Sequence, residues 1–280
     1  MSELGGGRDR RPLPQQGLLD QNASVNVSRE MDMSKAPDID VLLACYNAGA
    51  YLEPLLASLE AQTNRGFRLL VRDDGSCDGT AERLAVWAAA RPGWVEILED
   101  GQPTGSAVGN FNQLLARSRG DYLLFADQDD VWHPRKVEHT VARLMQLETE
   151  FGAACPLLTF CDLALVDSEG RSLHPSFRDY QGIDVKRGRS FHRLLMENVV
   201  TGCAMGINAA ARDGAGTVPR GAIMHDWWLA LYCAAFGCVD AMPETLIDYR
   251  QHGGNAVGAV AWSPVAAISA QLGVGTWRRS

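Results

Sequence analysis

The chain has 280 residues, of which 46% are hydrophobic and 21% are charged, which is typical of a globular protein with a sizeable core. Its formal net charge of −8 argues against general nucleic-acid binding, because a phosphate backbone attracts basic surfaces. The sequence contains no apolar run of about 18 residues, so no membrane-spanning helix is predicted.

The two ends of the chain show no pattern of secondary structure. Residues 1–37 combine a glycine triplet and clustered arginines with no apolar periodicity, so we predict that they are disordered. They lack the apolar core of a signal peptide, and the seven cysteines show no CxxC spacing, which favours reduced thiols in a cytoplasmic protein. The tail at 256–280 is rich in Ala and Gly and predicts nothing further.

Strand and helix patterns alternate through the first half of the chain. Ile39–Ala44 is a continuous apolar run, typical of a strand buried on both faces, and leucines repeat at helical spacing in Ala50–Gln62. The next predicted strands and helices, in order, are Phe67–Arg72, Thr80–Ala90, Val95–Leu98, Gly109–Ala116, Tyr122–Ala126 and Pro134–Phe151. This alternation predicts an α/β fold with a doubly wound, mostly parallel central sheet and helices on both faces.

The second half of the chain is less regular. Its predicted elements are two strands, two helices and a late strand: Leu157–Asp162, Leu163–Asp167, Phe191–Glu197, Asp226–Phe236 and Thr245–Tyr249. No internal repeat is present.

Three carboxylates follow directly on the central predicted strand. They are Asp127, Asp129 and Asp130, and carboxylates this close repel one another unless a cation or hydrogen bonds compensate. Mg²⁺ or Mn²⁺ would compensate, because these ions prefer oxygen ligands, and open α/β sheets bind ligands at the carboxyl ends of their strands. We therefore interpret the stretch from Asp127 to Asp129 as a metal site for a phosphorylated ligand. The alternative is an acidic helix start before Pro134.

Two other predicted strands end in polar residues as well. Tyr46 and Asn47 follow the first strand, and Asp73 and Asp74 follow the second. Acceptors at these positions can hold the N–H of a pyrimidine base and a ribose hydroxyl, while a metal at the third strand end bridges a diphosphate. Together the three strand ends predict a nucleotide-sugar site. A simple Asx-turn is the alternative at the second strand end.

Six motifs carry a resemblance to a known family. Over roughly residues 38–255, the sequence resembles the family 2 inverting glycosyltransferases with the GT-A fold. The motifs that carry this resemblance are ACYNAGAYL (44–52), VRDDGSCDGT (71–80) and LLFADQDDVWHPRKVE (123–138). Three later motifs sharpen this resemblance: ENVVTGCAMGIN (197–208), HDWWLAL (225–231) and YRQHGGN (249–255). The set DQDDVWHPRK, HDWW and YRQHGGN resembles bacterial rhamnosyltransferases that build surface polysaccharides from dTDP-L-rhamnose.

The resemblance implies a role for each residue at the strand ends. Tyr46 and Asn47 would line the nucleotide pocket, and Asp73 and Asp74 would contact the base and ribose. The residues implied to hold the diphosphate and the Mg²⁺ or Mn²⁺ ion are Asp127, Gln128, Asp129 and His252. A UDP-sugar donor stays open beside dTDP-rhamnose, because uridine and thymidine offer similar base and ribose contacts.

Direct displacement at an anomeric carbon needs a base on the acceptor hydroxyl and charge stabilisation on the leaving diphosphate. Asp226 stands where the family places its base, and Trp227 and Trp228 could exclude water and stack on the acceptor sugar. The two tryptophans point to different helix faces, so we expect one of them in the core. The alternative is that Asp226 merely starts a helix, with His225 as a surface residue.

A basic cluster at residues 186–189 allows two interpretations. It is either a solvated loop or a contact for the diphosphate of a polyprenyl-linked acceptor, which would bring the protein to the cytoplasmic face of the inner membrane. The acceptor expected from the resemblance is such a lipid-linked molecule or a growing glycan. A non-catalytic nucleotide-sugar-binding module and a sugar-nucleotide pyrophosphorylase are the rival functions. The second lacks the expected basic residue after the first strand.

Overall fold

The computed structural model of the protein describes residues 36–253. The predicted disorder up to residue 35 and the predicted tail at 256–280 lie outside the described residues. Among residues 36–253, no helix combines the length and the apolarity needed to cross a membrane. All seven cysteines lie in this part of the chain and are free of disulfides.

One sheet organises the described residues. Its nine strands are β1 (Ile39–Cys45), β2 (Phe67–Asp73), β3 (Val95–Ile97), β4 (Tyr122–Asp127), β5 (Val131–Trp132), β6 (Leu157–Val166), β7 (Ser172–His174), β8 (Met205–Asn208) and β9 (Cys238–Arg250). The α-helices of the described residues are α1 (Leu52–Glu60), α2 (Thr80–Ala89), α3 (Ala107–Arg117), α4 (Lys136–Phe151), α5 (Phe177–Gln181), α6 (Val185–Gly188), α7 (Phe191–Leu194), α8 (Ala209–Ala215) and α9 (His225–Phe236).

The strands lie in the order β3-β2-β1-β4-β8-β6-β9-β5, with β7 paired to β6. The first four are mutually parallel, which the apolar runs of β1, β2 and β4 favour, because strands buried on both faces are typical of parallel sheets. The other half is mixed: β8 runs antiparallel to both of its neighbours, whereas β6 and β9 are parallel. The predicted α/β fold with a mostly parallel sheet is confirmed.

The register of the parallel strands brings the predicted site residues to one edge. Cys45 at the end of β1 pairs with Asp73 at the end of β2, and Ala44 pairs with Asp127 at the end of β4. The polar residues that follow each strand therefore emerge side by side. This edge is the one at which open α/β sheets bind their ligands.

Two expectations about the second half are wrong. The two strands predicted around Asp162 form one strand, β6, because the Asp162 carboxylate is hydrogen-bonded by Ser176 Oγ at 2.6 Å and by the backbone N–H of Leu163 at 2.8 Å. A buried carboxylate with such partners does not end a strand. The late strand begins at Cys238 rather than Thr245, because its first residues pair with β6.

Gly237, just before β9, lies close to the backbone of the segment before β6, and a substitution can test this close approach. A Cβ atom added at Gly237 would lie 1.9 Å from the carbonyl oxygen of Pro156, so backbone would have to move. We expect Gly237→Ala to lower the free energy of unfolding by about 1–3 kcal/mol in denaturant titrations. Gly221→Ala is the matched control, since nothing lies within 4 Å of that position. Equal stability of the two variants would contradict the close approach.

Candidate active site

A cleft of about 900 Å³ opens at the C-terminal edge of the parallel strands. The residues predicted for the site that line this cleft are Tyr46, Asp74, Asp127, Gln128, Asp129, Asp226 and Trp227. The remaining predicted residues, Asn47, Asp73, Trp228 and His252, are not among its lining residues. Both halves of the chain thus contribute to the cleft, because α9 brings Asp226 to the ends of β1 and β4.

The turn after β1 is held by side chains from neighbouring strand ends. The side-chain amide of Gln128 accepts a hydrogen bond from the backbone N–H of Tyr46 at 2.6 Å and donates one to its carbonyl oxygen at 2.8 Å. Asn47 has a positive φ of 50° and accepts from the backbone N–H of Cys77. Gln128 therefore positions Tyr46, whose side chain is 57% exposed at the cleft.

The two aspartates after β2 have different surroundings. Asp73 forms the Asx-turn, accepting from the backbone N–H of Ser76 at 2.8 Å. Asp74 is buried and accepts from Arg72, from the backbone N–H of Thr104 and from that of Gly105. Burial would raise the pKa of Asp74, but these hydrogen bonds outweigh it and lower that pKa below its usual value. Asp74 thereby joins the end of β2 to the loop that covers it.

Asp127 and Asp129 concentrate negative charge at the end of β4. Burial and the charges of Asp129 and Asp226 raise the pKa of Asp127 to about 7. His252, from the segment after β9, lies with its Nε2 atom 2.7 Å from Oδ2 of Asp129. Of the three residues predicted to hold a metal ion, the structure places Asp129 and His252 in direct contact, and the charge of Asp129 acts on Asp127.

A second group of possible metal ligands shares Asp127 with this site and extends deeper into the protein. The ligand atoms of Asp127, Asp130 and Cys203 all lie within 4.8 Å of one another, and Asp130 is completely buried. Among the described residues, Oδ2 of Asp130 has no hydrogen-bond partner. Burial and the nearby carboxylates raise the pKa of the Cys203 thiol well above its usual value, so it stays protonated. The carboxylates, and not this thiol, fit a hard divalent ion such as Mg²⁺ or Mn²⁺.

Asp226 occupies the first turn of α9, at the side of the cleft formed by the second half of the chain. Its carboxylate accepts from the backbone N–H of Trp227 at 2.5 Å and from the side-chain amide of Asn198 at 3.2 Å. Burial raises the pKa of Asp226 to about 6, although these hydrogen bonds act in the opposite direction. Near neutral pH this group is ionised and is a stronger base than an ordinary aspartate.

The aromatic residues around Asp226 divide between the cleft and the core. Trp227 lines the cleft and donates its indole N–H to the carbonyl oxygen of Leu194. Trp228 instead packs against the core and donates to the carbonyl oxygen of Ala215. His225 is buried and stacks on Phe111 with ring centroids 4.0 Å apart, so it is not a surface histidine. Burial lowers the pKa of His225 to about 3, so its ring is neutral.

Residues 40–212, more than half of the chain, match the model of the family described as Glycosyl transferase family 2. The chain belongs to this family. Its site residues at the ends of β1, β2 and β4 lie inside the matched region, whereas Asp226 and His252 lie beyond it.

Two relatives and one solved structure illustrate the similarity. The uncharacterized glycosyltransferase RP339 from Rickettsia prowazekii is 25% identical over 170 residues, which cover 61% of this chain and 50% of the relative. The dTDP-rhamnosyl transferase RfbG from Shigella flexneri is 24% identical over 234 residues, which cover 78% of this chain and 74% of that protein. The chain spans about half the length of the first curated relatives that it matches.

The solved structure is that of the mannosyltransferase PcManGT from Pyrobaculum calidifontis in complex with GDP-Man and Mn²⁺. It superposes with a TM-score of 0.59 at 16% identity, covering 81% of this chain and 59% of that chain. A similarity at this level of identity shows the fold, and the predicted GT-A fold is confirmed.

Sequence reasoning missed the buried cation of this family 2 site. Lys136, in the first turn of α4, is completely buried, and its Nζ atom lies 3.8 Å from the centroid of the Trp132 ring. Burial lowers the pKa of Lys136, while the charges of Asp130 and Asp127 act to raise it. A lysine four residues after a tryptophan and six after the last carboxylate was the available signal. In its protonated form, the Lys136 side chain offsets part of the acidic charge from inside the protein.

This compensation can be measured as a coupling energy. Lys136→Met should lower the free energy of unfolding by about 3–5 kcal/mol, because buried carboxylate charge would lose its cation. Lys136→Met combined with Asp130→Asn should lose less than the sum of the single changes. Denaturant titrations of the single and double variants measure the coupling. Lys186→Met, at an exposed lysine, is the control, and strict additivity would contradict the electrostatic link.

Proposed function

We propose that this protein is a metal-dependent inverting glycosyltransferase that moves L-rhamnose from dTDP-L-rhamnose onto an acceptor of bacterial surface polysaccharide synthesis. The observation that carries the proposal is that one cleft is lined both by the crowded carboxylates of Asp127 and Asp129 and by Asp226. The first pair fits a cation and a diphosphate, and the separate carboxylate fits an acceptor hydroxyl. Inverting displacement requires both groups, on opposite sides of the anomeric carbon.

Asp226 acts as the general base in this mechanism. Its raised pKa of about 6 leaves it ionised at neutral pH, yet basic enough to take the proton of an attacking hydroxyl. The Trp227 N–H and the Asn198 amide fix its carboxylate in one orientation. Trp227 also presents an aromatic wall beside the base, on which an acceptor sugar can stack.

Asp127, Asp129 and His252 would hold a Mg²⁺ or Mn²⁺ ion. When bound, this ion supplies Lewis-acid stabilisation of the negative charge on the leaving diphosphate. His252 orients the Asp129 carboxylate through the 2.7 Å contact, and the charge of buried Lys136 acts to lower the pKa of Asp127. Asp127, which carries a pKa of about 7 without the ion, is held ionised when a cation binds.

The donor nucleotide lies over the ends of β1 and β2. Tyr46 offers an exposed aromatic ring for the base, and Asp74 is the acceptor nearest to the loop that closes this end. Similarity to the dTDP-rhamnosyl transferase RfbG supports the rhamnosyl donor. A UDP-sugar is the alternative donor, because uridine and thymidine offer similar base and ribose contacts. The fold itself does not select a base, since the similar structure of PcManGT is a complex with GDP-Man.

The acceptor is a growing glycan or a polyprenyl-diphosphate-linked sugar, and the protein works in the cytoplasm. Free cysteines throughout residues 36–253 suit a reducing compartment. A nucleotide-sugar-binding module without activity would not need a carboxylate of raised pKa beside the metal pair. For that reason the enzyme is preferred over the module.

Removal of the base tests the reaction directly. Asp226→Asn should lower kcat about 10²–10⁴-fold with little change in donor affinity, because the base acts on the acceptor proton. In the wild type, kcat/KM should fall as the pH drops through about 6, where Asp226 gains a proton. Asp213→Asn, at an exposed carboxylate, serves as the control. Wild-type turnover in Asp226→Asn would refute this assignment.

The donor and the metal can be tested together by calorimetric titration. We expect dTDP to bind the wild type in Mn²⁺, to bind much more weakly in EDTA, and to lose its metal dependence in Asp129→Ala, while Asp213→Ala behaves as wild type. Tighter binding of UDP than of dTDP would replace the rhamnosyl donor by a UDP-sugar. Metal-independent binding of both nucleotides would contradict the metal site.

A further inference from the structure

An exposed apolar surface lies beside the mouth of the cleft. Phe191, Leu195 and Met196, in and after α7, are 37%, 55% and 79% exposed, and Ile223, just before α9, is 58% exposed. We call these four residues the apolar rim. Single exposed apolar residues are common, but a group of large ones beside a binding cleft indicates an interaction surface.

The apolar rim is attached to the same element as the candidate base. Leu194, between Phe191 and Leu195, is fully buried, and its carbonyl oxygen accepts the indole N–H of Trp227 at 2.5 Å. Ile223 itself lines the cleft. The rim therefore keeps its place relative to Asp226, and whatever covers the rim lies next to the acceptor end of the cleft.

The charge around the rim differs from that of the rest of the chain. Residues 184–197 hold four basic and two acidic side chains, whereas the whole chain has a net charge of −8. Lys186 and Arg193 are exposed beside the rim, and Arg220 is exposed three residues before Ile223. Arg189 of the same segment is paired with Asp240. Exposed cations flanking exposed large apolar side chains are the composition of surfaces that lie in a membrane interface.

We propose that the apolar rim docks on an anionic lipid bilayer, with Leu195 and Met196 entering the interface and Lys186 and Arg193 contacting headgroup phosphates. The proposal rests on the proposed function in one respect, since docking there would present a lipid-linked acceptor directly to Asp226. A bilayer is favoured over a protein partner because exposed cations lie on both sequence segments that carry the apolar rim, and such a composition matches a uniformly anionic plane. Exposed Val86 on α2 differs, because the basic residue nearest to it in sequence on that helix, Arg83, is paired with Glu53.

Vesicle co-sedimentation of the full chain, without donor or acceptor, tests the docking. The wild type should bind vesicles of phosphatidylglycerol and phosphatidylcholine more tightly than vesicles of phosphatidylcholine alone, and high salt should weaken the binding. Leu195→Asp combined with Met196→Asp should weaken binding about tenfold or more, because two apolar side chains no longer enter the interface. Lys186→Glu combined with Arg193→Glu should remove the preference for phosphatidylglycerol.

Val86→Asp is the control for the change of residue type, since it places one aspartate at another exposed apolar residue. It should bind vesicles as the wild type does. The nucleotide titration, repeated on the Leu195→Asp and Met196→Asp double variant, should match the wild type and so reports both correct folding and an intact donor site. Because it is independent of vesicles, it separates a failure of the proposed function from a failure of docking.

Three results would overturn the proposal. The first is wild-type protein that does not sediment with phosphatidylglycerol vesicles. The second is equal loss of binding in Val86→Asp and in the rim double variant. The third is a wild-type dimer that the rim double variant converts to monomer while vesicle binding persists, which would make the rim a contact between two copies of the chain.

Discussion

The accumulation of negative charge at the end of β4 is the constraint on which the rest of the site depends. Asp127, Asp129 and Asp130 follow a strand that is buried on both faces, so their charges cannot all be solvated by water. Lys136 offsets part of this negative charge from inside the protein, and a divalent ion bound at Asp129 and His252 would offset it from the cleft. The α4 start, the turn after β9 and the segment holding Cys203 all converge on this one point.

The sheet places the acidic end of β4 beside the polar ends of the neighbouring strands, and together they form a site. Because β1, β2 and β4 are parallel and in register, the polar residues after each of them emerge at the same edge. The mixed half of the sheet contributes the remaining candidate site residues, which the parallel strands do not carry. From that half come α9, which carries Asp226 to the cleft, and β9, which leads to His252.

The carboxylates of the cleft differ in their surroundings, and this difference separates their roles. Hydrogen bonds lower the pKa of Asp74, which joins the β2 end to its covering loop. Burial, together with the like charges of Asp129 and Asp226, raises the pKa of Asp127 to about 7, as would suit a group that binds a cation. Burial raises that of Asp226 to about 6 without a neighbouring cation, as suits a group that must accept a proton. In the proposed mechanism, similar side chains would thus serve as anchor, metal ligand and base.

The sequence by itself determined the parallel half of the fold and the three polar strand ends, because these follow from periodicity and from residues adjacent in the chain. It also allowed the interpretation of Asp226 as a base, through the motif around it. It did not determine the single strand β6, since a polar residue inside a strand is indistinguishable from a break until its partner, Ser176, is known.

Only the tertiary structure decided which residues carry the buried charge and which face the cleft. Lys136 is a polar helix residue in sequence, and its burial against the Trp132 ring depends on packing between α4 and the sheet. Trp227 and Trp228 are adjacent, yet only the packing of α9 sends one to the cleft and the other to the core. Such outcomes depend on contacts between residues far apart in the chain, which no local pattern encodes.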